Sequence, residues 1–143
     1  MVKALPDKWV RKAIYNAVNN IVVDGKTIPC YDSRVTSNGV NNYTLMTTQT
    51  NTVDKSNKCA YDWNSSILIE VYTKYGLNGN TGSRLLADNI LDKVRELTDT
   101  LVLDAVSGLD IVTQTQSFPN DLTSETTNEI IFRKFIRIEF LIE

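Results

Sequence analysis

Apolar positions near the start of the chain recur at helical spacing. In 6–20, "PDKWVRKAIYNAVNN", Trp9, Val10, Ala13, Ile14, Ala17 and Val18, followed by Ile21, fall at the i, i+3/i+4 spacing of a helix with one buried face. Pro6 suits the first turn, and Asp7 complements the positive end of the helix dipole. A second stripe runs through 83–99, "SRLLADNILDKVRELTD". Leu86, Ile90, Val94 and Leu97 form its centre, Leu85, Ala87 and Leu91 widen it, and Ser83 is placed to cap it.

Elsewhere the period is two. In 65–75, "SSILIEVYTKY", Ile67, Ile69, Val71, Thr73 and Tyr75 face one way, and Leu68, Glu70, Tyr72 and Lys74 the other. Residues 43–50, "YTLMTTQT", have the Thr-rich composition of a strand, with Tyr43 and Leu45 on one side. Asp24-Gly25 between short apolar runs predicts a tight hairpin. The stretch 51–64 is polar and aperiodic, so it reads as a loop or a flexible hairpin arm. Beyond the second helix come "TLVLDAV", a turn at Ser107-Gly108, "GLDIVTQTQSFP", a polar connection over 120–128 and a closing strand.

The order helix, hairpin, strand, strand, helix, strand, strand does not alternate regularly. It predicts an α+β fold, a mostly antiparallel sheet packed by two amphipathic helices, instead of a wound parallel sheet. Polar arms are expected at 31–42, 51–64 and 118–128. With neither internal repeat nor linker, residues 1–143 read as one domain.

The closing strand, "EIIFRKFIRIEFLIE", poses its own question. Its even face, Ile130, Phe132, Lys134, Ile136, Ile138, Phe140 and Ile142, is nearly continuous apolar surface, as in a central strand covered by helices. Its odd face mixes charges with Ile131, Phe135 and Leu141. Simple packing within the domain accounts for the first face. The second face, or the strand's edge, invites cover by another copy of the chain.

Composition narrows the function classes. The chain is 42% hydrophobic and 22% charged, and its net charge of −2 lacks the basic excess of a phosphate-neutralising nucleic-acid binder. No apolar run is long enough for a membrane helix or a secretory signal, and Cys30 and Cys59 are expected as reduced thiols. There is no histidine, which removes the usual neutral-pH base, the usual zinc ligand and the Ser-His and Cys-His nucleophile schemes. Asp32, Asp54 and Asp62 stand in polar loops and form no recognisable acid pair. The glycines of "YGLNGNTGSR" precede a helix but fit neither phosphate-loop spacing. Asn42-Tyr43-Thr44 and Asn64-Ser65-Ser66 read as chance glycosylation triplets. Trp9 belongs to the helix stripe, whereas Trp63 fits either a core lid or an interface anchor. No catalytic residue, metal ligand or cofactor site emerges.

The succession "IPCYDSRV", "NYTLMTTQT", "SSILIEVYTKY", "LLADNILDKVREL" and "RKFIRIEF", behind a first amphipathic helix, resembles the tail-completion, tail-terminator or neck-ring proteins of tailed bacteriophages. It looks in particular like the small ring proteins of crAss-like phages of Bacteroidetes. The resemblance spans 8–142, although the arm at 51–64 and the stretch 113–128 depart from the shorter family pattern. It implies a non-enzymatic virion protein made in a bacterial cytoplasm, with no membrane partner. Such proteins form homo-oligomeric rings of roughly six or twelve copies about the DNA channel. Their partners are neck, portal and tail proteins, and contact with genomic DNA is transient. Tyr31, Arg34, Tyr61, Trp63 and Phe118, all in the arms, are the expected interface residues, because Tyr and Trp give large contact area and Arg pairs bidentately. A small adaptor domain and a carboxylate- or metal-dependent enzyme are the alternatives.

Overall fold

The computed structural model describes residues 5–36, 41–54, 62–76, 83–125 and 128–143. Helix α1, Asp7–Val18, is followed by the hairpin β1, Ile21–Val23, and β2, Lys26–Ile28. A short strand β3, Cys30–Asp32, precedes two long ones, β4, Asn42–Asp54, and β5, Asp62–Gly76. Helix α2, Ser83–Leu97, leads through a 3-10 turn at Ala105–Ser107 to β6, Ile111–Ser117, β7, Leu122–Glu125, and β8, Glu129–Ile142. The fold is α+β.

The larger sheet runs β3-β4-β5-β8-β6, and β7 pairs with β8 in line with β6. All its pairings are antiparallel except β3 with β4, which is parallel. The inward faces of β5 and β8 carry Ile67, Ile69, Val71, Ile136, Ile138, Phe140 and Ile142, all buried, beneath Val10, Ile14 and Val18 of α1 and Leu86, Ile90 and Val94 of α2. Both helices therefore cover one face of the sheet. The even positions of the closing strand are its core side, as their pattern implied. The strand persists to its end because it is central: β5 flanks it along its length, and Asp110 and Glu143 exchange backbone hydrogen bonds at 2.9 Å beyond β6.

The chain turns where local chemistry allows. α1 stops at Asn19, whose backbone is extended, and Asn20 takes φ 57°. Asn19 then fixes the next segment, accepting from the Cys30 amide at 3.1 Å. Asp24 and Gly25 both have positive φ, the requirement of the tightest hairpin turn, and Asp24 accepts a hydrogen bond from Asn89 of α2 at 2.8 Å. At the later turn Asp104 accepts from the Val106 amide at 3.0 Å, and Gly108 closes it at φ 68°.

Several expectations change. Residues 51–54 and 62–64 are strand, because Asn51, Thr52 and Val53 pair with Ser65, Asn64 and Trp63. The arm is thus a continuation of the β4–β5 ladder, with its tip outside the described residues. The connection over 120–128 contains β7, held by β8 although all four of its side chains are exposed. Leu85 does not widen the buried stripe of α2. It is 63% exposed. α2 begins at Ser83 itself, and the residue before it lies outside the described set.

Candidate interaction surface

With both helices on one side, the other face of the sheet has no covering layer among the described residues. Strand alternation puts Tyr31, Tyr43, Leu45, Leu68, Glu70, Tyr72, Arg133, Phe135 and Arg137 on it. The face divides along the strands into two halves of different chemistry.

One half is aromatic. The Tyr43 and Tyr72 rings stack, with centroids 4.5 Å apart and planes 15° apart, and Tyr31 meets Tyr43 edge-on at 5.8 Å. These are the offset and edge geometries that the ring quadrupole favours. Two ion pairs tie β5 to β8 here: Lys74 meets Glu129 at 3.0 Å, and Arg133 donates to Glu70 through Nε at 2.5 Å and Nη2 at 3.2 Å. The guanidinium also lies 5.6 Å from the Phe135 ring centroid. The Glu70 hydrogen bond, ahead of the opposing effect of burial, raises the Arg133 pKa. Burial first, then the neighbouring Tyr72 and Glu70, push the Tyr43 phenol up to about 12.

The other half is polar and concave. Thr50, Thr52, Asn64, Ser66, Thr113, Thr115, Glu139 and Leu141 line a shallow depression of about 400 Å³. Its rows cross four strands: Thr50, Ser66, Glu139 and Thr115 stand side by side, as do Thr52, Asn64, Leu141 and Thr113. Hydroxyls dominate, beside the Asn64 amide and the Glu139 carboxylate, and the Thr50 and Ser66 hydroxyls share a hydrogen bond at 2.5 Å.

The charged groups beneath the sheet are structural ties. Lys134 reaches Asp88 of α2 at 2.6 Å and Asp121 of the β6–β7 connection at 2.8 Å. Burial depresses the Lys134 pKa, but the two carboxylate hydrogen bonds outweigh it and the net shift is upward. Arg11 donates to Gln49, which donates to the Asp7 carbonyl, fastening α1 to β4. Cys30 is buried, and desolvation raises its thiol, which leaves it a poor nucleophile. Among the described residues, no group of three or more Cys, Asp or Glu side chains is arranged to hold a metal.

The five arm residues do not form one patch. Tyr31 lies on β3 at one edge of the sheet, and Arg34 follows it, exposed. Phe118, 50% exposed, lies at the opposite edge, just after β6. Trp63 stands in the row of Val53, Ile142 and Ile111 on the helix-covered face and packs partly against the core. Tyr61 lies outside the described residues. Sequence reasoning missed Tyr43, Tyr72 and the Glu70–Arg133 pair as surface features. Their signal was the outward set of the alternation in 65–75, which carried an aromatic and an acid where a solvated face would carry small polar residues.

No family model matches the sequence, and no curated protein matches it. The fold is similar to that of a chain in the structure described as the virion of a native gene transfer agent (GTA) particle. The TM-score is 0.61 at 15% identity, over 94% of this chain and 96% of that chain. At that identity the likeness is one of fold.

Proposed function

We propose that this chain is a non-enzymatic structural protein of a virion, working as one subunit of a homo-oligomeric ring at the head–tail junction or tail end. The observation that carries this reading is the fold likeness to a chain of a gene transfer agent virion, which takes in 94% of this chain and 96% of the other. The succession of sequence elements supports the same reading, including its likeness to the ring proteins of crAss-like phages.

The physical argument comes from the uncovered sheet face. A stacked aromatic cluster on an open sheet is apolar surface that a neighbouring protein can cover. Neck, portal or tail-tube proteins are the proposed neighbours. A concave wall of threonine and serine hydroxyls with one carboxylate, Glu139, suits a channel through which DNA slides, because it offers no row of cations to grip phosphates. Contact with the genome is then transient.

Cryo-electron microscopy of purified particles tests the proposal. The expected map has this fold repeated as a ring on the tail axis, around the path of the genome. Particles that assemble and package DNA without the chain would overturn it. Light scattering of the isolated protein adds the mass of any ring formed in solution.

A further inference from the structure

Among the described residues, the sheet has two unguarded edges at the same end. β3 covers β4 through Thr44, Leu45 and Met46, so the outer edge of 49–54 pairs with no described strand. Across the sheet, β6 pairs with β8 on its inner side, and its outer edge pairs with no described strand. Edge strands are usually protected by shortness, charge, proline or a covering element. The aromatic end follows that rule, since β3 is three residues with an Asp and β7 is four with a Glu. The polar end does not. β6 reads "IVTQTQS" with neither charge nor proline, and the β4 edge reads "QTNTVD", with an acid at its last position.

Strand direction makes these two edges complementary. β4–β5, β5–β8 and β8–β6 are each antiparallel, so β6 runs opposite to β4. A copy placed beside the first by rotation alone therefore brings its β4 antiparallel to the first copy's β6. The rows also match. Thr50 and Thr115 close the two ends of one row, and Thr52 and Thr113 those of the next, all on the concave face. Tyr31 with Arg34 and Phe118 stand on opposite edges, so the same repeat brings one arm of each copy toward its neighbour.

We propose that copies of this chain join head to tail by strand addition, β6 of one subunit against residues 49–54 of the next. The antiparallel sheet then continues around the ring, with its Thr-rich concave face lining the bore. This rests on the ring reading above. One heterologous contact satisfies both edges of every copy, and a repeat whose rotation closes gives a ring with the depressed polar half turned toward its axis.

Cysteine pairs test it on assembled particles in a Cys59→Ser background. Thr52→Cys with Thr113→Cys, and Thr50→Cys with Thr115→Cys, replace exposed threonines and leave the core untouched. Oxidation is expected to give a ladder of covalent multimers ending in a closed ring, while each single variant stays monomeric on a denaturing gel. Amide exchange within 49–54 and 111–117 is expected to slow by about tenfold or more on going from free subunit to ring. A ring visible on the particle with no cross-link from either pair, and unchanged exchange, would overturn strand addition while leaving the ring reading intact. Dimers from Thr115→Cys alone would overturn it by showing two-fold pairing of β6 with itself. Absence of the chain from the particle axis would remove both readings.

Discussion

Arg133 and Glu70 lie on neighbouring strands, offset along the β5–β8 ladder, and meet through two hydrogen bonds of 2.5 and 3.2 Å. The Glu70 side chain is 6% exposed, while Arg133 keeps 38% of its own exposure. The carboxylate is therefore the member that has given up water, and the guanidinium is what it received in exchange. Removing the arginine strands a buried negative charge. Arg133→Ala is expected to destabilise the fold by about 2–3 kcal/mol, below the range for fully buried pairs because water reaches the arginine side. Replacing both residues by leucine is expected to cost about 1 kcal/mol or less. Urea denaturation of the three proteins checks the contrast, and equal losses in single and double variants would contradict it.

Substitutions in the core and on the exposed helix surface are expected to differ sharply. Ile136 is fully buried between the sheet and the helices, so Ile136→Ala should cost about 3–4 kcal/mol through lost transfer energy and the cavity left behind. Leu85, counted with the apolar stripe by its sequence position, is 63% exposed and should tolerate alanine within about 0.5 kcal/mol. Thermal melts of the two variants measure the difference.

The hairpin after α1 offers a backbone test. Gly25 sits at φ 75°, and a Cβ built there meets nothing within 4 Å. Any penalty from Gly25→Ala is then conformational, about 1–2 kcal/mol for a side chain in the left-handed region. Gly25→Asn, a residue that tolerates that region, should recover most of the loss. A steric origin would instead make asparagine worse than alanine, and stability measurements on the pair separate the two.

What the sequence disclosed follows the strength of its periods. Both helices, the Asp24-Gly25 turn and the central place of the last strand were legible, because burial of one face imposes a spacing that survives any tertiary detail. The strand character of 51–54 and 62–64 was hidden, because a ladder exposed on one side and ending in polar residues has no alternation to display. β7 was hidden for the same reason: "LTSE" buries nothing and owes its strand to β8 alone. The interaction surface was half legible. The odd face of the closing strand announced that something meets it, but Arg133 needed the position of Glu70, a residue distant in sequence, to show that one partner is internal. Arm aromatics drew attention as exposed anchors, yet the stacked tyrosines of the open face belong to strands, and Trp63 was turned inward by the register of β5.

The tyrosine stack carries a pH signature. In the folded chain the Tyr43 phenol is held up to about 12 against an ordinary value of 10.0, first by burial and then by the Tyr72 and Glu70 charges. Between those two values the unfolded chain has released the proton while the folded chain retains it. The folded state then binds more protons, so stability falls as pH rises. The contribution is fully present below about pH 10 and lost through the interval above it. Tyr72 is shifted in the same direction, again mainly by burial. Absorbance titration should therefore show tyrosinate appearing later in the folded protein than in urea, and Tyr43→Phe should remove the latest component. The same variant should unfold less steeply with alkali than the parent while matching it near neutrality, where the phenol is protonated in both states. An alkaline unfolding profile unchanged by Tyr43→Phe would mean that the stack leaves this phenol in ordinary water.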